Sequence, residues 1–413
     1  MRRVLTFLFL FLVPALSFSQ KNILNKLIRQ NADRLGEVAA KPEKYEVQVI
    51  YTQIDRDQNN KPTFTTSTWQ LDENRYFYPA STVKMPVAFM ALEKLNKLSI
   101  IGLDKHSTML TGEGHPPQSP VEKDSTAATG LPSVAHYVKK IFLVSDNDAN
   151  NRLYEFLGQG ALNEALRQKG YDHSRIIHRL GISGFDAEAN CYTNPVSFFN
   201  GKRQLYFQGE VYSRFEPSFS VNGERKGKGY FQDGKFVEQP FDFSKKNYVS
   251  LRNLHDMLQA VIFPDDVPSA RRFDLTEEDY RFLYQVMSER PRESRFPNYA
   301  DKPDHYVKFF IYGDRSDADR MPDHVRIFNK VGWAYGYLTD VAYVVDFENG
   351  VEFFLAATIN VNEDGIYNDD NYEYTTVGLP FLAELGRVVY EYELKRKRRH
   401  KPDLSRFIVE KYD

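Results

Sequence analysis

The sequence predicts an α+β fold: an antiparallel sheet built from both ends of the chain, flanked by helices, with a mostly helical lobe between. Three observations predict it. Period-two alternation near the start and apolar, β-branched or aromatic runs near the end mark strands, helical periodicity fills the middle, and a turn signal separates two early strands. The 413 residues are 42% hydrophobic, with 31 Phe and 26 Tyr, enough for a large core. Their 54 basic and 56 acidic side chains leave a net charge of −2. Such a balance gives no global field for nucleic acid or an anionic membrane, and neither is expected as a partner.

Taken in order, Arg2 and Arg3 precede an apolar run over residues 4–16 and then Ser17-Phe18-Ser19. This reads as a signal peptide over residues 1–19, cleaved before Gln20, with a periplasmic or secreted product. The run is short for a membrane span, so no stable insertion is expected after cleavage. Residues 21–39 read as a helix through Ile23, Leu24, Leu27, Ile28 and Leu35. Val47, Val49, Tyr51 and Ile54 mark a strand over residues 46–54, and Asn59-Asn60 the turn into a second strand over 63–71. An apolar helix follows over 82–95, then a Gly- and Pro-rich loop over 112–125. Helices are expected over 132–144, 150–157, 161–169, 251–262 and 276–289. The last carries acids in its first turn, where the helix dipole favours them. Residues 202–246, aromatic and Gly-rich, read as an insertion with some β character. Strands are expected over 306–312, 325–331, 338–346 and 351–359, and a closing helix over 380–394. The basic tail 395–401 reads as a solvated helix end. The mature chain thus forms one domain over 20–413, its α/β part at 20–75 and 305–395 and its helical lobe at 80–300. A monomer is expected. Cys191 is the single cysteine and has no intrachain partner.

Three short motifs carry chemistry. Ser81-Thr82-Val83-Lys84 opens the apolar helix, so the hydroxyl and the amine share one helical face. A serine needs a neighbouring base to become a nucleophile, and a lysine serves when its pKa is depressed. Ser145-Asp146-Asn147 ends a second apolar helix. Lys330-Val331-Gly332-Trp333 ends an apolar strand. Each alone is commonplace, as a helix cap, a turn or a strand end. The nine histidines show no metal-ligand spacing, no Cys–His pairing is evident for Cys191, and no phosphate or dinucleotide loop is present. No metal or cofactor is therefore expected.

In this order and on these elements, the three motifs resemble the S-x-x-K, S-D-N and K-T-G set of class A β-lactamases and penicillin-binding proteins. "YFYPASTVKMPVAF", "FLVSDNDANNRL" and "KVGWAYGYLTDVAYVV" carry the resemblance. It implies a β-lactamase/transpeptidase-like fold and a serine hydrolase acting on a β-lactam or a peptidoglycan-peptide-like amide. The alternatives it leaves are a D-Ala-D-Ala peptidase or transpeptidase, a slowly deacylating penicillin sensor, and a pseudoenzyme. Residue by residue, it implies Ser81 as nucleophile and Lys84 as its base or proton relay. Ser145 would pass a proton to the leaving nitrogen, and Asn147 would hold the substrate's side-chain carbonyl. Asp146 would be structural and buried, and Lys330 would attract the substrate carboxylate. Gly332 would line the substrate site, and the backbone N–H groups of Ser81 and Trp333 would form the oxyanion hole. Two departures stand out. Val331 replaces the usual Thr or Ser, and the loop "RIIHRLGISGFDAEANCYTNP" lacks the usual Glu after its Arg. Glu188 is the candidate deacylation base in that loop.

Overall fold

A computed structural model describes residues 22–409 and Tyr412. The expected signal segment lies outside them. Five strands form one antiparallel sheet: β1 (Gln48–Arg56), β2 (Pro62–Trp69), β3 (Val325–Ala334), β4 (Tyr337–Asp346) and β5 (Val351–Asn360), in the order β3-β4-β5-β1-β2. Strands from the two ends of the chain meet at the β1–β5 pairing, where Ile50 stands opposite Ala356. Side chains alternate across the sheet. On β1, Val47, Val49 and Tyr51 face one core, while Ile50 and Ile54 face the other. The expected alternation held Ile54 in phase with Tyr51, and an odd spacing places it on the opposite face. β4 is buried along its whole length because helices cover both faces.

The nine described helices divide between those faces. On one side lie α1 (Ile23–Gln30), α2 (Ala32–Ala40) and α9 (Leu379–Lys395). The expected single N-terminal helix is two: Asn31 leaves helical geometry, and its side-chain amide donates to Leu27 O, ending α1. On the other side lies the lobe, containing α3 (Lys84–Leu98), α4 (Val134–Val144), α5 (Asn147–Leu157), α6 (Gln159–Gln168), α7 (Leu251–Ile262) and α8 (Glu277–Ser288). α3 is apolar on nearly every side and runs through the lobe core. Thr276 and Asp279 close a reciprocal cap at the start of α8.

Two expected elements differ. Residues 306–312 form turns rather than a strand, because the buried Asp340 carboxylate accepts from the Phe309 and Phe310 N–H groups and replaces a strand partner. The basic tail is not a solvated helix end. Arg396 and Arg398 fold back onto the buried Glu393 carboxylate, and Arg396 also reaches Asp55. Beyond them Phe407 caps the lobe-side core. Residues 202–246 contain short strands, of which Gly229–Gln232 pairs with Ile366–Tyr367 near the end of the sheet domain. Among the described residues, no helix is long and apolar enough to cross a membrane.

Candidate active site

Strand parity builds the site. On β3, Phe328 faces the lobe, so Lys330 and Gly332 face it too. There β3 runs against the 3-10 turn Ala80–Val83, which carries Ser81 and leads into α3. The approach is so close that a Cβ on Gly332 would stand 2.5 Å from Pro79 O and 2.9 Å from Ser81 N. Only glycine fits. Val331, of opposite parity, packs in the core on the terminal-helix side with Ile327 and Leu338. That packing accounts for an apolar residue where the family pattern has a hydroxyl.

The α4–α5 junction supplies the second wall. Ser145 ends α4 in a left-handed conformation (φ 60°), and Asp146 caps α5 by accepting from Ala149 N at 2.8 Å. Asp146 is half-buried rather than fully buried, 3.6 Å from Lys140. The two active-site lysines converge on Ser145. Lys84 Nζ donates to Ser145 O, lies 3.3 Å from Ser145 Oγ and donates to Asn147 Oδ1 at 2.7 Å. Lys330 Nζ donates to Ser145 Oγ at 2.8 Å and to Val331 O at 2.7 Å. The hydroxyl shared by both amines is therefore that of Ser145. Ser81 lines the same cleft, and no hydrogen bond joins its hydroxyl to either lysine among the described residues.

Both lysines are buried, at 0% and 1% exposure, with no carboxylate in ion-pair range among the described residues. Desolvation pushes the Lys84 amine down to about 7, against a smaller opposing effect of Asp146. Lys330 falls well below the ordinary lysine range, first through burial and then through the charge of Lys84. A buried amine without a counter-ion costs a fold stability, and two of them side by side make this cleft the candidate site. Backbone strain clusters here as well. Ala80 (φ 46°), Ser145 and Tyr335 (φ 53°) all have left-handed geometry and all border the cleft.

The cleft has a volume of about 360 Å³. Besides Ser81, Ser145, Asn147, Gly332 and Trp333, it is lined by residues the motifs did not reveal. Tyr78 and Tyr335 meet edge to face, 5.0 Å apart. Tyr335 and Gly336 both have positive φ and join β3 to β4 as a type I′ turn, for which Gly336 is the visible sequence signal. Trp333 is half-exposed and stacks on Phe309 at 5.9 Å. Leu180 and Gly181 enter from the loop after α6. That loop is pinned by side-chain amides: Asn151 exchanges two bonds with Leu180, and Asn190 Oδ1 accepts from Arg179 N. Buried Arg179 pairs with buried Glu155 at 3.0 Å.

Glu188 is not brought to this cleft. It is exposed and paired with Arg214. Among the described residues, no carboxylate lines the Ser81 cleft at all. From this loop it is Leu180 and Gly181, at a bend, that line the cleft.

Among solved structures, the chain is similar to a β-lactamase from Sphaerobacter thermophilus, with 12% identity, coverage of 90% of this chain and 99% of that one, and a TM-score of 0.46. It is similar to a β-lactamase from Xanthomonas campestris at 15% identity, 89% and 98% coverage and a TM-score of 0.47. It is also similar to PBP-A, solved as an acyl-enzyme with penicillin G, at 14% identity, 91% and 97% coverage and a TM-score of 0.48. No match was found among curated proteins. Residues 30–392 match the model of the beta-lactamase enzyme family, a span that holds all three motifs and every strand of the sheet. The chain belongs to the beta-lactamase enzyme family.

Proposed function

We propose that this protein is an exported acyl-transfer serine enzyme of class A type whose acyl-enzyme turns over slowly. It would accept β-lactams and D-Ala-D-Ala-like amides, as a penicillin-binding protein does. The observation that carries this reading is the convergence of Lys84 and Lys330 on Ser145 beside Ser81. An amine at about 7 is substantially unprotonated at neutral pH and can take the Ser81 proton as Oγ attacks the carbonyl carbon. The C–N bond then breaks, and the proton passes from Lys84 through Ser145 to the leaving nitrogen. The Ser81 and Trp333 N–H groups would receive the oxyanion. Lys330 would hold the substrate carboxylate, which in turn favours the charged form of its amine. Deacylation needs a base to activate water, and a cleft without a carboxylate supports a long-lived acyl-enzyme. Export rests on the N-terminal sequence pattern alone: Arg2 and Arg3, the apolar run over residues 4–16 and Ser17-Phe18-Ser19.

A fluorescent penicillin tests this. We expect label on the intact protein that survives for minutes or longer, and none on Ser81→Ala. Absence of Ser81-dependent label would overturn the acyl-transfer reading. Rapid turnover of a chromogenic cephalosporin would replace slow deacylation with a true lactamase activity.

A further inference from the structure

A second, larger cavity of about 720 Å³ adjoins the Ser81 cleft, lying between the loop after α6 and the 202–246 insertion. The two share Tyr78, Leu180, Gly181 and Tyr335 as common walls. The junction lies beside Asn147, since a Cβ on Gly181 would collide with the Asn147 amide at 2.2 Å. An acyl arm whose carbonyl is held by Asn147 would therefore leave the cleft toward this cavity.

The cavity is basic. Arg175, Arg179, Arg214, Lys245 and Lys246 border it, against Asp186 and Glu216. The three arginines are committed to Glu224, Glu155 and Glu188. Asp186 accepts from Ala189 N at 2.8 Å. Lys246 differs from the paired arginines, and from Lys245, which is exposed, in being half-buried. Its ammonium sits 5.9 Å from the Tyr335 ring and 6.0 Å from the Phe241 ring, with no carboxylate in ion-pair range among the described residues. Its stem is fixed at the backbone, where Lys246 O accepts from Arg175 Nε at 3.0 Å. Burial without a counter-ion lowers its pKa, a cost that an arriving anion would offset. Tyr335, strained at positive φ, stands between this ammonium and the nucleophile's cleft.

We propose that the cavity is an acyl-side subsite for a carboxylate-bearing substrate arm, with Lys246 as the anion's partner. The natural substrate is then an extended acidic amide, such as an acidic peptide, rather than a compact lactam. This rests on the acyl-transfer reading for its orientation, but binding tests it independently. The probes are 6-aminopenicillanic acid carrying succinyl, adipyl or suberyl arms, each compared with the uncharged butanoyl, hexanoyl or octanoyl arm. Calorimetry on Ser81→Ala, which cannot be acylated, gives the affinity ratio within each pair. We expect the charged arm to win by about tenfold for at least one length, an advantage typical of one charge-assisted contact. The ratio should shrink at high salt, fall to about one in the additional variant Lys246→Met, and persist in Lys246→Arg. Equal affinity within every pair, or a preference that survives Lys246→Met, overturns the subsite. Wild-type protein that is not acylated yet shows the preference would sink the acyl-transfer reading and leave the subsite standing.

Discussion

Lys84 and Lys330 each lie buried without a carboxylate in ion-pair range, and they share one serine hydroxyl between them. Two consequences follow at the scale of the residue. The first concerns rate. With its amine titrating at about 7, Lys84 should make Ser81 acylation rise with pH through neutrality and level off above it. Lys84→Arg, whose guanidinium stays charged, should lower the acylation rate about 1000-fold, as read by stopped-flow penicillin labelling. The second concerns stability. The folded pKa of Lys84 lies below its unfolded value of 10.5, so the unfolded chain binds more protons between these values. This group therefore makes stability increase as pH rises from about 7 to 10.5, and its full penalty applies below 7. Lys84→Met should raise unfolding stability at pH 7 by on the order of 2 kcal/mol while abolishing acylation. Denaturant melts at pH 7 and pH 10 check both the sign and the pH trend. The residue types and spacings at Ser81, Lys84, Ser145, Asn147 and Lys330 were legible in sequence. The pairing of both amines with Ser145, rather than with Ser81, was not, because it depends on the left-handed backbone at Ser145.

At the scale of the element, the loop after α6 decides which side of the cleft is closed. No acid follows Arg179 at the family's spacing, and Glu188 was the candidate only because it and Asp186 are the acids nearby in sequence. In the folded chain the Asn151 and Asn190 amides draw Leu180 and Gly181 into the cleft wall, and Glu188 emerges on the surface beside Arg214. An asparagine that pins a backbone has no periodicity and no partner visible along the chain, so this arrangement left no sequence signal. Gly181 tests it. Its φ is +59°, and a side chain there would meet the Asn147 amide. Gly181→Ala should destabilise the fold by about 1–3 kcal/mol and slow acylation at least tenfold by displacing Asn147. Thermal melts and labelling rates measure the two effects. Labelling unchanged within twofold would show that Asn147 does not position the substrate. The β3–β4 hairpin gives the opposite case. Its strands were readable from their apolar, β-branched and aromatic runs, and the structure extends β3 through Ala334 and places the turn at Tyr335-Gly336.

At the scale of the molecule, one sheet separates two cores, and the site sits at the sheet's β3 edge, where lobe and sheet meet. The C-terminal segment closes the lobe-side core. Phe407 is 2% exposed and contacts the rings of Phe263, Tyr284, Phe328 and Tyr343 at 5.1–6.0 Å. Phe407→Ala should cost about 3–5 kcal/mol of unfolding stability, seen in a denaturant melt. Below the transition, the folded fraction should label at the wild-type rate, since Phe407 lies outside the cleft. A loss below 1 kcal/mol would show the segment to be dispensable to the core.

By itself the sequence determined the fold class, the strands at both ends, the helical middle and the residue types of the three motifs. Those properties are local: periodicity, capping and spacing act over a few residues and leave a readable pattern. Only the tertiary structure decided that 306–312 turns instead of pairing, that the basic tail binds Glu393, and that no carboxylate among the described residues lines the cleft. The first depends on the buried Asp340 carboxylate meeting backbone N–H groups far away in the chain, the second on the burial of Glu393 against Tyr51 of the sheet, and the third on the Asn151 amide reaching Leu180 across the chain; what surrounds a group, rather than what precedes it, sets its desolvation.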